Sequence, residues 1–288
     1  MPRRSLTTGP FRIRVQGPAA LMQRLAFFYG DRLQGSEDGV HDFHIRMARV
    51  PGLRRLLAPQ IQFHTDIETP FQPFPLDHAY PFFEWGLNWC IAMQAHEYLL
   101  WHMAVLARGE DALLLPGNPG SGKSTLAAAL MHRGWRLLSD EFGLYLPENG
   151  CLCALPRPIP LKNAAIPALR KAVPEAVLGP LYPRTRKGDV AHVRPTAESF
   201  ARAGEPARPR WILFPHYHPA GGHRPRPFPK GRCFLGLAGN AFNYGLQGAR
   251  GFEAVASVVE RVPAWELDYA DLDAAVAAVE DLTTRPTS

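Results

Sequence analysis

The sequence predicts an α/β protein, on three observations. The chain has 288 residues, 46% hydrophobic and 20% charged, a globular composition with room for a sizeable core and about two domains at roughly 150 residues each. Two short apolar runs, 102–107 and 112–115, flank Arg108-Gly109-Glu110-Asp111 and read as a hairpin feeding a glycine-rich turn. That turn is followed by a run of good helix formers at 124–133 and an apolar strand at 135–139. A small α+β region over 1–75 precedes this larger domain, 76–288.

The N-terminal elements come from periodicity. Residues 11–15 alternate apolar and basic, which suits a strand; 19–29 reads as a helix; 41–50 and 61–64 read as strands. Prolines punctuate 70–81, and the aromatic and aliphatic run 82–100 predicts a helix. Gly134 stands where a helix ending near Arg133 needs a C′ residue. Further on, 190–194 and 211–214 read as strands. Two amphipathic helices are expected near 234–246 and 252–262, then a strand at 265–269 and a helix from Leu272.

Several classes are excluded. The apolar stretch 85–96 is shorter than the ~20 residues a bilayer needs. The first residues are basic but have no apolar h-region, so no secretory signal is read. Four scattered cysteines make no disulfide scaffold. A soluble, cytoplasmic protein with no membrane partner is expected. The net charge of +6 sits between Arg208 and Arg232, which hold six basic side chains, six prolines and no acid. That segment carries no recognisable nucleic-acid module, so nucleic acid is not the expected partner, and a solvated proline-rich loop explains it equally well.

The chemistry is concentrated at Gly117-Asn118-Pro119-Gly120-Ser121-Gly122-Lys123-Ser124, followed by Thr125. This is G-x-x-x-x-G-K-[ST] with a strand before and a helix after. Glycines let successive N–H groups point into one concavity, and the helix N-terminus adds partial positive charge. A lysine here reaches the β- and γ-phosphates of a nucleotide such as ATP, and the Ser124 hydroxyl can ligate Mg2+. Only five of the 32 basic residues are lysines, and lysine is the compact charge that suits a phosphate. The glycine order is not G-x-G-x-x-G, so a dinucleotide site is excluded. Asp140-Glu141 follows the next strand, 17 residues after Lys123. So short a return brings both acids back to the phosphates, one to hold Mg2+ and one to take a proton from an attacking hydroxyl.

With these residues in view, the chain resembles the HPr kinase/phosphorylase family. His102, the loop from Gly117, and Arg133-Gly134-Trp135-Arg136-Leu137-Leu138-Ser139-Asp140-Glu141 follow that family's order without gaps. The subgroup of HPr kinase-related proteins labelled kinase A is more similar still. It shares Leu87-Asn88-Trp89-Cys90, the run 156–163, Arg186-Lys187-Gly188 through His192, and Asn240-Ala241-Phe242-Asn243-Tyr244. The resemblance implies a P-loop kinase fold with a mixed sheet, of the type shared with phosphoenolpyruvate carboxykinases. It implies ATP-dependent, Mg2+-assisted phosphorylation of a serine in a protein or peptide. On this chain it makes Asp140 the general base, makes Ser124 and Glu141 metal ligands, and puts His102 near the reacting phosphate. The second acid is Glu141 where the family has Asp, and Thr125 stands where the true enzymes often carry Glu. HPr kinases tend to form rings, so a homo-oligomer is an open option.

The remaining candidates have two readings each. Lys162, after the rigid 156–160 segment, faces phosphate or substrate if it belongs to the site, and is surface charge otherwise. Lys187, in Arg186-Lys187-Gly188, suits a loop closing over a phosphate or a solvated turn. His192 lines the site or is a satisfied core histidine. The Cys151 and Cys153 pair is structural, His216 and His218 share a face with no third ligand evident, and Trp85 with Trp89 reads as core. Taken together the expectation is an ATP-dependent kinase acting on a hydroxyl. The alternatives are a nucleotide-gated peptide-binding protein that transfers nothing, and a kinase of a small metabolite.

Overall fold

The computed structural model describes residues 1–35, 39–52 and 57–284. The chain is a mixed α/β protein with several sheets. It divides into two compact units, Met1–Gln94 with Gly179–Val190, and Ala95–Leu178 with Ala191–Ser288. The first unit therefore extends past residue 75 and takes in a later segment of the chain.

The first unit is built on a six-stranded sheet. Its order is Leu33–Gly35, Arg3–Thr8, Phe11–Gln16, Phe43–Arg49, Gln60–His64, Phe74–Pro75. The strand Phe11–Gln16 buries every other residue, as its alternation requires. It runs parallel to Phe43–Arg49, and the helix Ala19–Tyr29 makes the crossover. The strand Arg3–Thr8 carries no such alternation of strong apolar residues; it is held by pairing with Phe11–Gln16, which no local pattern announces. The helix Ala79–Gln94 buries Tyr80, Phe82, Phe83 and Leu87. Tyr80 stacks on Phe28 with ring centroids 4.5 Å apart, and the Tyr29 hydroxyl donates to buried Glu84 at 2.9 Å. Gly86 lets this helix meet the sheet, since a Cβ there would lie 2.0 Å from the Phe63 ring. Trp85 and Trp89 are only partly buried, against Phe74 and Phe71.

The helix expected over 82–100 stops at Gln94. Leu99–Trp101 is instead a strand, antiparallel to Gly143–Leu146. A short apolar run is compatible with either element, and pairing decides it.

The second unit has a six-stranded sheet in the order Arg136–Ser139, Met103–Arg108, Asp111–Pro116, Arg208–Tyr217, Ala264–Tyr269, Arg226–Pro227. Met103–Arg108 and Asp111–Pro116 form the expected hairpin. Asp111–Pro116, Arg208–Tyr217 and Ala264–Tyr269 are parallel neighbours. Both faces are covered, so the central strands are continuous apolar runs rather than alternating ones. Leu113 and Leu115 meet Leu126 and Leu130 of the helix Lys123–Met131, Leu169 of Ala165–Ala172 and Val279 of Leu272–Thr284. Leu114, Ile212 and Phe214 face the other way, onto Leu237 of Lys230–Gly239 and Val255 and Val258 of Tyr244–Arg261. Gly134, at φ 88°, lets Trp135 N–H return to the Leu130 carbonyl at 3.2 Å, closing the helix as its C′ residue. The helical region breaks twice, at 240–243 and again at Gly248, whose φ of 54° interrupts Tyr244–Arg261 within the expected interval 247–251. Asn243 is committed at the first break, accepting from Leu100 N–H at 3.0 Å and donating to the Tyr98 carbonyl at 2.8 Å. Among the described residues no helix is long and apolar enough to cross a membrane.

The contact at Gly86 is directly testable. Gly86→Ala should lower stability by about 1–3 kcal/mol, read as a lower urea midpoint with an unchanged slope; an unchanged midpoint would show that Phe63 can move aside freely.

Candidate functional site

Strand direction assembles the site. Arg136–Ser139 is antiparallel to Met103–Arg108, which is antiparallel to Asp111–Pro116. Arg136–Ser139, Asp111–Pro116, Arg208–Tyr217 and Ala264–Tyr269 therefore all end at the same edge of the sheet. Asp140 and Glu141, the loop from Gly117, Tyr217 and Tyr269 leave from that edge. His102 lies there too, because it precedes a strand running the opposite way.

The loop is held from beneath. Gly120 and Gly122 both have φ 88°, a left-handed backbone that side chains rarely adopt. The Tyr269 hydroxyl donates to the Gly122 carbonyl at 3.0 Å, and Tyr217 N–H donates to the Ser121 carbonyl at 2.9 Å. A Cβ on Gly122 would sit 2.0 Å from the Tyr269 hydroxyl oxygen, so glycine is required twice over at this position. Burial holds the Tyr269 phenol above its ordinary pKa, which keeps it a donor. Asn118, Pro119 and Gly120 are exposed, whereas Lys123 is only 8% exposed. The helix Lys123–Met131 starts at the end of the loop and has no acid in its first turn to compete for the partial positive charge there. Thr125 lies one residue beyond Ser124 in that first turn.

Near the loop stands a buried carboxylate. Asp140 is 4% exposed, and neither of its oxygens has a hydrogen-bond partner of ordinary geometry. Burial first, and then the Glu141 carboxylate, push its pKa from 3.8 up to about 7; Lys123, the nearby Ser124 hydroxyl and Lys162 pull it back only in part. Glu141 reaches toward His102, with Oε2 3.6 Å from Nε2, each about a quarter exposed. His102 is positioned by its backbone N–H, which donates to the Asn240 carbonyl at 2.7 Å. Its ring meets that of Phe242 at 5.5 Å, and Phe242 also meets Phe142.

Lys162 ends the strand Ile159–Lys162, and its charge acts on both Asp140 and His192. Buried His192 is held neutral near pKa 3, by burial first and then by Arg157 and Lys162. Of its two readings, the structure supports a core histidine pressed by cations. The sequence candidates at 117–125, His102, Asp140, Glu141 and Lys162 are thus gathered at one edge. Lys187 belongs to the other unit, where its ammonium lies 5.3 Å from the centre of the Trp85 ring. Neither Arg157 nor Tyr269 stands out individually in the sequence, whereas Asn243 belongs to the motif 240–244 that the sequence offers beside the site. Arg157 stood inside a resembling motif, but its burial gave no local signal, and Tyr269 is an ordinary strand tyrosine until the parallel register places it under Gly122.

The oxygen donors at hand are the Asp140 and Glu141 carboxylates and the Ser124 hydroxyl. Such a set fits Mg2+, which takes one or two carboxylates plus substrate phosphates and water rather than a full protein cage. No group of three or more His, Cys, Asp or Glu suited to a metal occurs among the described residues, so His216 and His218 remain without a third ligand.

The buried carboxyl makes stability depend on pH. Its folded pKa is raised, so its cost is absent below the unfolded value near 4, grows as pH rises, and is complete above about 7. There the ionised group is roughly 4 kcal/mol less stable folded than unfolded. In nucleotide- and metal-free buffer, Asp140→Asn should be about 1–3 kcal/mol more stable than the parent at pH 8, after the cost of the unpaired amide. By pH 4 the advantage should be gone; urea unfolding at the two pH values checks both. Compared with known proteins, the chain matches no family model and no curated protein.

Proposed function

We propose that the chain is an ATP-dependent kinase that moves the γ-phosphoryl group to a hydroxyl, that of a serine in a protein or peptide, on a P-loop fold of the HPr kinase/PEP carboxykinase type. The observation that carries this reading is Asp140: a buried carboxylate with two unpartnered oxygens, facing a phosphate-loop lysine and serine, with its pKa raised to about 7.

Each part then has a role. Backbone N–H groups from Gly120 to Lys123 bind the phosphates, and Lys123 neutralises charge on the group in transit. The acceptor oxygen forms its bond to the γ-phosphorus as the bond to the β–γ bridging oxygen breaks. Asp140 takes the proton from that hydroxyl, for which a carboxylate ionising near neutral pH is well matched. Ser124, Glu141 and Asp140 are the residues that would hold Mg2+, which when bound supplies positive charge against the phosphate oxygens. His102 holds the Glu141 carboxylate in place. The short interval from Lys123 to Asp140, spanned by one helix and one strand, suits a compact phosphotransfer site.

Incubation of the purified protein with γ-labelled ATP, Mg2+ and an extract of its host tests this. Label should appear in one protein or peptide and be lost with Lys123→Ala. Asp140→Asn should lower transfer by about 10²–10⁴ while ADP affinity stays within a few-fold. Full transfer by Asp140→Asn would remove the base. Nucleotide bound but neither transferred nor hydrolysed would favour a nucleotide-gated binding protein.

The pH dependence adds a further expectation. With the carboxylate as base, kcat/KM should rise with pH and level off above about 7. An activity independent of pH between 5.5 and 8 would contradict the assignment.

A further inference from the structure

Tyr217 is an exposed aromatic at the edge that carries the loop 117–124, one for which phosphoryl transfer has no use, on the side of the loop away from Asp140, whereas exposed Phe242 packs on His102 and Phe142. Tyr217 is the last residue of the strand Arg208–Tyr217 and is 55% exposed. We propose that Tyr217 is a stacking platform for a nucleobase, so that the phosphoryl donor is a nucleoside triphosphate and not pyrophosphate or another inorganic polyphosphate. This deepens the kinase reading above and rests on it.

Strand order supplies the first argument. Asp140 follows the strand two places to one side of the phosphate-loop strand, and Tyr217 ends the strand immediately on the other side. If the terminal phosphate lies toward Asp140, the rest of the donor must leave the loop in the opposite direction, over Tyr217. Three strand spacings of about 4.8 Å separate the acid-bearing strand from the Tyr217 strand, roughly 14 Å in all. That is comparable with the reach of an extended nucleoside triphosphate from terminal phosphate to base.

The second argument is that the aromatic is tied to the loop itself. Its N–H donates to the Ser121 carbonyl at 2.9 Å, and its Cβ would lie 3.1 Å from a Cβ on Gly122. The next residue is fixed as well, His218 N–H donating to the Tyr269 carbonyl at 2.8 Å. The ring packs edge-on to Tyr269, with centroids 5.7 Å apart and planes at 70°. A platform held this way keeps a constant distance from bound phosphates and costs little to order on binding. Beyond it, Ala220, Gly221 and Gly222 carry minimal side chains, and a Cβ on Gly222 would meet nothing within 4 Å. The whole 208–232 segment holds no acid that would repel a nucleotide.

Calorimetric titration of the full chain with ADP and with pyrophosphate, both with Mg2+, tests the assignment. The variants are Tyr217→Ala, Tyr217→Trp and Lys123→Ala, each checked by thermal melting. The parent should bind ADP more tightly than pyrophosphate. Tyr217→Ala should weaken ADP about ten-fold, the scale of one base–aromatic stack, and leave pyrophosphate within two-fold. Tyr217→Trp should restore ADP binding and add fluorescence quenching by ADP that pyrophosphate does not produce. ADP bound by Tyr217→Ala with parental affinity would overturn the platform and leave the kinase reading standing. So would equal loss of both ligands, which marks a disturbed loop. A parent chain that binds neither ligand, like Lys123→Ala, would remove the kinase reading and the platform together.

Discussion

Two hydrogen bonds set the position of the loop 117–124: Tyr217 N–H to the Ser121 carbonyl and the Tyr269 hydroxyl to the Gly122 carbonyl. Each joins the loop to the end of a different strand, and the strands themselves are in parallel register. The loop's conformation is therefore an extension of the sheet. Two of its carbonyls are engaged by these strands, Ser121 N–H closes a turn onto the Asn118 carbonyl at 3.1 Å, and the helix that follows presents the positive end of its dipole to the loop. Glycine at position 122 meets two constraints at once, a left-handed φ and a close approach by the tyrosine hydroxyl.

Against this positive cradle the fold places an acid that it does not solvate. Asp140 receives no hydrogen bond of ordinary geometry, and its charge is opposed by burial and by Glu141. Lys123 and Lys162 offset only part of that cost. A folded chain tolerates such a group where binding later supplies the missing partners, a hydroxyl proton or a cation. His192 is the counterpart: a buried imidazole kept neutral by burial and by the cations Arg157 and Lys162. The two neighbouring environments push a carboxyl up and an imidazole down, the separation of titrating groups expected at functional sites.

The segment 240–243 links the helical layer to the same edge. Asn243 bonds the backbone at Tyr98 and Leu100, the Asn240 carbonyl receives His102 N–H, and Phe242 packs on the His102 and Phe142 rings. His102 is thereby held by this segment as well as by its approach to Glu141. Phe242 itself remains 54% exposed and forms an apolar wall beside the acids.

Much of the site was legible in the sequence because its parts are local. Lys123 and Ser124 belong to a loop whose backbone geometry needs glycines at set spacings, and Asp140 follows one helix and one strand later, so chain order alone brings it back. The helix Ala19–Tyr29, the hairpin before the loop and the C′ role of Gly134 likewise follow from patterns within a few residues. The strands Arg3–Thr8 and Leu99–Trp101 did not, since each exists through partners elsewhere in the chain. Nor did Tyr269 beneath Gly122, the bonds Asn243 makes to the Tyr98 and Leu100 backbone, or the depth at which Asp140 is buried. Residue identity and spacing determine which groups can bind phosphate. Only tertiary structure decides how far a carboxylate is withdrawn from water, because desolvation depends on every neighbour and not on the local run of residues.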